Sequence, residues 1–522
     1  MLTQNQIYNI LNDRKKDDTF TTLQELPQPD SFKDIKKASL RIAQAVREDE
    51  TINIVGDYDV DGIVSTAIMV EFFSTLGVEV NHIIPNRFTH GYGLSPKLLD
   101  DIYDGLIITV DNGISAIEAG EICEKRGLDL IITDHHTVGK VLPKAYAIVN
   151  PKQNDCDFPF KDICGANVAW YLCAMVKKEL NAKINMMMFF DILVLAIVAD
   201  IMPMKSLNST IVKKGFQEFA KSKRPALVAL KERFNLKTIN EEDIGFKIAP
   251  LINCAGRMED ANIALEFLLS FDTFEANESL DYLIELNERR KTEQLNIFEE
   301  AKTQVDEEDN VVVVSSQNWN EGIIGIVASK LSDKYKKPSF VFSINNEKAK
   351  GSSRSADVHL YDLINTCSDI LIGFGGHKGA AGLSLEASKL PELKQLLNQN
   401  ITTLTSNSNE DNYDTSIGEL NLDLVHHNLY ETINSFRPFG LENEMPSFIF
   451  RDVKVIDIKK MGKNKEFTKL IVSNQIVNIE VVIFVDFADV SVGDDISFIA
   501  TIGKNEFRGN VTFNLMFKEL VL

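Results

Sequence analysis

Between Thr51 and Asn150, short apolar runs alternate with amphipathic segments. That alternation confines the region to βαβ units around a parallel sheet, because parallel neighbours must be joined by a crossover, usually a helix. Strands are expected over 52–55, 78–84, 106–110, 128–133 and 145–149, with helices over 62–76, 95–103 and 114–126. Residues 164–270 read mainly as helices, with apolar side chains three and four residues apart, so this first domain is expected to end near residue 275.

The helical pattern over 277–305, charged along its outer face and closed by Asp306–Asp309, reads as a connecting helix. A second α/β alternation follows, with strands at 311–315 and 339–344 and helices at 323–335 and 388–400, and then a polar linker at 401–416. Period-two strands at 448–458, 467–473, 477–485, 495–502 and 511–518 point to a small barrel, with an OB-fold the leading candidate. The expected organisation is an N-terminal extension (1–50), an α/β domain (51–275), a connecting helix (276–308), a smaller α/β domain (309–400), and a linker with the barrel (401–522).

The length of 522 residues suits about three domains at roughly 150 residues each, and 44% hydrophobic residues exclude a disordered chain. Fifty-five Lys and Arg against 76 Asp and Glu give a net charge of −21. This excludes a protein that coats nucleic acid with its whole surface, but not a local basic channel. It also directs attention to clustered carboxylates. The N-terminal segment lacks the apolar core of a secretory signal, and the longest uninterrupted apolar run, 192–199, is too short to span a bilayer. A cytoplasmic protein with no membrane association is expected. The six cysteines form no CxxC pair and read as reduced, mostly buried thiols.

The first strand runs directly into GDYDVDG, which places Asp57, Asp59 and Asp61 at the C-terminal edge of the sheet, where α/β proteins build their sites. Three acids in five residues repel one another unless a cation neutralises them. Calcium in an EF-hand is excluded: Gly62 fills the sixth position, but Ile68 stands at the twelfth, where Glu is required. Two further strands end in Asp111 (VDNGIS) and in Asp134, His135 and His136 (TDHHT). Three such strand ends converge on one cleft, and mixed Asp/His ligation suits Mn²⁺ or a similar divalent ion.

GDYDVDG, VDNGIS, TDHHT and the later VADIMPM resemble the ordered motifs of the DHH phosphoesterases, which share a two-metal site. NCAGRM (253–258), WNEGIIGIVASKL (319–331), GSSRS (351–355) and GGHKGAAG (375–382) narrow the resemblance to the RecJ single-stranded-DNA exonucleases, from about residue 50 to the C-terminus. The implied fold is a parallel-sheet DHH domain, a long connecting helix, a smaller α/β DHH-associated domain and a C-terminal OB-like barrel.

The implied activity is metal-dependent 5′→3′ hydrolysis of single-stranded DNA to 5′-mononucleotides in recombination and repair. Carried over motif by motif, Asp57 and Asp59 would hold one of two divalent ions, Mn²⁺ or Mg²⁺, and Asp61, His135 and Asp200 the other, with Asp111 bridging. Asp134 would orient His135, and His136 would face the scissile phosphate. The resemblance casts Arg87 and Tyr92 as nucleotide contacts, Arg257, Ser352 and Arg354 as ligands of the terminal 5′-phosphate, and Gly376 and His377 as a phosphate loop. Asn320 stands where the family's Trp-His-x-Gly segment carries His. Between Arg451 and Lys469, seven Lys/Arg against three Asp/Glu give a local balance of +4 around a hairpin with Lys460 and Lys463, expected to contact DNA. A RecQ-type helicase and a single-stranded-DNA-binding protein are implied partners, and a monomer is expected.

The rivals are a DHH phosphodiesterase acting on short oligoribonucleotides or cyclic dinucleotides, an inorganic pyrophosphatase, and a catalytically silent replication scaffold. The C-terminal barrel argues against the first, GSSRS and GGHKGAAG with that barrel against the second, and the full set of matched ligands against the third.

Overall fold

The computed structural model describes residues 1–405, 416–462, 467–484, 487, 490–507 and 510–521. The chain divides into two units, one of Met1–Leu26, Ile201–Lys214 and Asp411–Leu522, the other of Pro27–Asp200 and Gly215–Glu410.

In the smaller unit, α1 (Gln4–Asp13) opens on a Thr3 capping box and buries Ile7 and Leu11 in the core of a C-terminal barrel. The segment read as a single extension over 1–50 is thus divided. Its first part packs on the barrel, whereas α2 (Ile35–Arg47) belongs to the larger unit. A ten-residue helix with two buried apolar positions does not reveal its partner in the sequence.

The larger unit is built on a five-stranded sheet of β1 (Ile52–Val55), β2 (Asn81–Ile83), β3 (Leu106–Val110), β4 (Leu130–Thr133) and β5 (Ala147–Val149), in the order β2-β1-β3-β4-β5 with every pair parallel. The central strands β1, β3 and β4 are buried throughout, as strands rich in Ile, Leu and Val are in a sheet covered on both faces, with Asn53, Thr109 and Thr133 as the buried polar exceptions. β2 is a mostly exposed edge strand and is correspondingly shorter than expected. The helices α3 (Val60–Thr75), α4 (Ile117–Arg126), α5 (Gly165–Glu179) and α6 (Phe190–Ala199) accompany the sheet. The helix expected over 95–103 is a single 3₁₀ turn, Leu98–Asp101: Leu98, Leu99 and Ile102 do bury, but the acids at 100 and 101 leave no second apolar turn to extend it.

Further helices follow: α7 (Ser206–Lys221), α8 (Pro225–Arg233), the single turn α9 (Glu241–Asp243), α10 (Ala249–Met258) and α11 (Asn262–Leu269). The connecting helix α12 (Thr273–Lys302) has 30 residues, about 45 Å at 1.5 Å per residue, and opens on the N-cap Asp272.

The second sheet of this unit contains β6 (Val312–Ser316), β7 (Ser339–Asn345), β8 (Lys348–Arg354), β9 (Gly373–Gly376) and β10 (Ala380–Glu386), in the order β6-β7-β8-β10-β9. Only β6 and β7 pair in parallel. Helix α13 (Ile324–Tyr335) packs on β7 and β8, with α14 (Leu360–Asn365) and α15 (Leu390–Thr405) following. Helix α15 therefore takes the first residues of the expected linker, and 406–415 lie outside the described residues.

In the smaller unit, α16 (His427–Asn434) precedes β11 (Ser447–Met461), β12 (Phe467–Ser473), β13 (Asn478–Ile483), β14 (Asp495–Phe507) and β15 (Asn510–Leu520). These strands close into a barrel ordered β11-β12-β13-β15-β14, antiparallel except where β13 meets β15. This is the partly parallel Greek-key closure of an OB-fold. Among the described residues no helix is long and apolar enough to cross a membrane, and all six cysteines are buried and free.

Candidate metal centre and its arginine neighbours

In a doubly wound sheet of this strand order, the β1/β3 switch leaves a crevice beyond the strand C-termini. Both strands end there in an acid: Asp57 follows β1 by two residues, and Asp111 follows β3 directly. Asp111 has a left-handed backbone, φ +61°, uncommon for a residue that carries a side chain.

Each remaining acid is held differently. Asp59 is the N-cap of α3, its Oδ1 accepting from the N–H groups of Asp61 (3.0 Å) and Gly62 (3.1 Å). Asp61 accepts from the N–H of Gly165 (2.6 Å) on one oxygen and of Ala166 (2.8 Å) on the other. Asp200 ends α6. The Nε2 atom of His135 lies 3.2 Å from Asp111 Oδ1, 3.6 Å from Asp200 Oδ2 and 3.7 Å from Asp61 Oδ2.

Possible ligand atoms of Asp61, His135 and Asp200 lie within 4.8 Å of one another, as do those of Asp57, Asp59 and Asp111, and those of Asp111, His135 and His136. Burial first, and neighbouring acids second, push the carboxyls of Asp57, Asp59 and Asp111 up, and Asp200 to about 8. Burial lowers His135. Asp111 Oδ1, Asp200 Oδ2 and His135 Nδ1 are buried without a hydrogen-bond partner. Oxygen and imidazole donors, crowded, buried and unsatisfied, fit a divalent cation: it would supply the charge that the carboxylates lack and favour their ionised forms.

Asp134 does not do what its motif suggests. Its Oδ1 contacts His136 Nδ1 at 2.7 Å and accepts from the backbone N–H of His135 (2.7 Å) and His136 (3.0 Å), while Oδ2 takes the Ile114 N–H (2.9 Å). It therefore orients the ring of His136 and not that of His135. Burial would raise the Asp134 carboxyl, but its bonds to His136, and after them the Ile114 N–H, outweigh burial and hold it low. Burial opposes the charged form of His136, but Asp134 outweighs it and raises the imidazole to about 9.

Arginines gather beside the acids. The guanidinium of Arg87 lies 4.2 Å from the Tyr58 ring centroid, and its Nε is buried without a partner. Tyr92, 46% exposed, stands edge-on to Tyr58 and to His136 at 6.0 and 6.3 Å. Arg257, in the last turn of α10, donates to the Gly322 carbonyl (3.3 Å). Burial, then the charge of Arg87, brings it down to about 10, with Arg290 and Arg354 adding to the repulsion and Asp59 opposing it. On β8, Arg354 Nη1 donates to Ser352 Oγ (3.0 Å), and burial lowers its guanidinium. Tyr58 and Arg290 were not singled out from sequence. Tyr58 lies inside an acidic motif, and Arg290 on α12 reads as one surface charge among many.

The glycine loop differs from expectation. The His377 N–H is used within its own hairpin, donating to the Ala380 carbonyl (2.8 Å), and Gly376 at φ +147° is needed where a Cβ would strike Ala380 and Ala381. The His377 side chain is exposed. Asn320 Oδ1 accepts the Gly322 N–H (2.8 Å) and so closes a turn, while Trp319 is core, 4% exposed, with its indole N–H on Glu300. On the barrel, Lys460 donates to Thr468 Oγ1 and the Phe487 carbonyl, and Lys463 lies outside the described residues.

Three protein-family models match the chain: the N-terminal domain of the DHH family over residues 51–197, the DHHA1 domain over 308–403 and the RecJ OB domain over 418–519. The single-stranded-DNA-specific exonuclease RecJ of Bacillus subtilis is 34% identical over 513 residues, covering 94% of this chain. The chain spans 64% of that relative's length. The protein of the same description from Haemophilus influenzae is 30% identical over 478 residues, covering 86% of this chain and 83% of its own. The crystal structure of RecJ in complex with Mn²⁺ from Thermus thermophilus superposes with a TM-score of 0.84 at 25% identity, covering 99% of this chain and 75% of that one.

Proposed function

The chain belongs to the RecJ family of single-stranded-DNA-specific exonucleases, and from that premise we propose that it hydrolyses single-stranded DNA from the 5′ end, releasing 5′-mononucleotides in a metal-dependent reaction. One observation carries the reading: buried, unsatisfied Asp and His donors at the β1/β3 switch stand beside a cluster of guanidiniums. The first set suits cations and the second a polyanion.

Asp57, Asp59 and Asp111 would hold one divalent ion, and Asp61, His135 and Asp200 a second, with Asp111 shared. Mn²⁺ or Mg²⁺ bound there would supply Lewis-acid activation of water and neutralise phosphoryl charge. The protein's own groups do the rest. Arg257, Arg354 and Ser352 bind the terminal 5′-phosphate, since guanidinium forks match phosphate oxygens. Arg87 and Tyr92 contact the terminal nucleotide, which sets its 3′ phosphodiester over the acids. With Nδ1 on Asp134, His136 presents Nε2, and near pH 7 it is an imidazolium able to donate to a non-bridging oxygen as charge grows there. Water adds to phosphorus and the P–O3′ bond breaks. The departing O3′ takes up a proton, and the shortened strand keeps a new 5′-phosphate for the next cycle.

Lys460 and its neighbours on the barrel add backbone contacts to the strand. A helicase and a single-stranded-DNA-binding protein are the natural suppliers of such a substrate in recombination and repair. The test is single-stranded DNA labelled separately at each end, with Mn²⁺ or Mg²⁺. Immediate release of mononucleotide from the 5′ label supports the proposal. Survival of long DNA while dinucleotides or cyclic dinucleotides are consumed overturns it.

A further inference from the structure

We propose that the first turn of α5, Gly165 and Ala166, is a positioning element of the metal centre: its two N–H groups fix Asp61, and the absent side chain of Gly165 makes the space in which Asp111 stands. The inference rests on the metal-dependent reading above and assigns a role to residues outside its motifs.

Helix α5 has 15 residues and lacks an ordinary cap. Its N-cap, Cys164, caps none of the first-turn N–H groups with its side chain, and its thiol donates instead to the side-chain Oδ1 of Asn167 (3.1 Å). The open N–H groups of that turn are taken by Asp61, which belongs to α3. One N–H on each oxygen stops the carboxylate from rotating, yet leaves each oxygen a lone pair for a cation.

The same turn bounds Asp111. A Cβ at position 165 would come within 2.4 Å of Asp111 Oδ1, 2.5 Å of its Cβ and 2.7 Å of its Cγ. Two of these atoms are not the free end of a flexible chain, and the left-handed backbone of Asp111 leaves little room to retreat. Asp111 is 1% exposed, and its Oδ1 is unpartnered. One helical turn therefore touches a fixed ligand and an unsatisfied one, and sets the distance between them.

The test uses the full chain and two readouts that do not depend on turnover. Calorimetric titration with Mn²⁺ should show Gly165→Ala binding roughly 10–100-fold more weakly than wild type, the usual effect of losing a group that orients a ligand. Melting of metal-free protein should show Gly165→Ala less stable than wild type, whereas adding the same methyl to Asp111→Gly costs little, because the atoms it would strike are gone. If Gly165→Ala does not fold, a folded Gly165→Ala/Asp111→Gly protein supports the inference and an unfolded one overturns it. Equal Mn²⁺ binding by wild type and Gly165→Ala would overturn this inference alone. No Mn²⁺ binding by wild type would overturn the metal-dependent reading and this inference with it.

Discussion

Two clusters of buried charge in the larger unit are built on opposite plans. Around Arg224, opposite charges face each other: the guanidinium meets Glu71 and, at 3.4 Å, Asp191, whose Oδ2 also accepts from Ser222 Oγ at 2.6 Å. Burial disfavours the charged form of Arg224, but Asp191 and Glu71 outweigh it and raise its pKa. At the β1/β3 switch, acids face acids, and beside them arginines face arginines. A cluster whose opposite charges pair holds a fold together, and one whose like charges crowd is completed by a ligand.

The comparison breaks most visibly at Asp111. Asp111→Ala should lower turnover by several kcal/mol, about 10³-fold, with the melting temperature held or raised, because a buried carboxyl crowded by other acids is gone. Steady-state kinetics beside a thermal melt check both halves. Arg224→Ala should do the reverse, with urea unfolding showing a loss of about 3–5 kcal/mol and kcat near wild type. If Arg224→Ala abolishes turnover in protein that is still folded, the distinction fails.

Smaller effects sharpen it. Arg354→Lys removes a bidentate fork, and about 2 kcal/mol, or roughly 30-fold in KM, should be lost for 5′-phosphorylated DNA and little for 5′-hydroxyl DNA. The raised carboxyl of Asp200 gives a pH signature. Below its unfolded pKa of 3.8 the acid is neutral in both states, and from there to about 8 only the unfolded chain ionises, so metal-free protein loses stability across that window. Asp200→Asn should recover about 2–4 °C of melting temperature at pH 8 and almost nothing at pH 4, and Mn²⁺ should stabilise wild type more at pH 8 than at pH 6. Lys460→Ala should reduce the salt dependence of single-stranded-DNA binding by about one unit of log–log slope or less, since its amine already bonds Thr468 and Phe487.

The sequence reveals most where chemistry and local geometry coincide. Asp57 and Asp111 were legible because an apolar strand that runs into an acid puts that acid at a sheet edge. The five barrel strands showed through their period of two. Asp200 needed the family resemblance, since an Asp that ends an apolar helix is equally a helix-end residue. Gly165 carried no signal at all, because its role depends on Asp111, 54 positions away in the chain. Asp134 misled for a related reason. Adjacent to two histidines, it could orient either ring, and only the fold selects His136. The helix expected over 95–103 failed because its apolar spacing covers a single turn.

The most direct measurement is anomalous diffraction from crystals of the full chain soaked in Mn²⁺. The account predicts two peaks, one among Asp57, Asp59 and Asp111 and one among Asp61, His135 and Asp200, with Asp111 touching both. A single peak, or density away from these side chains, would contradict it.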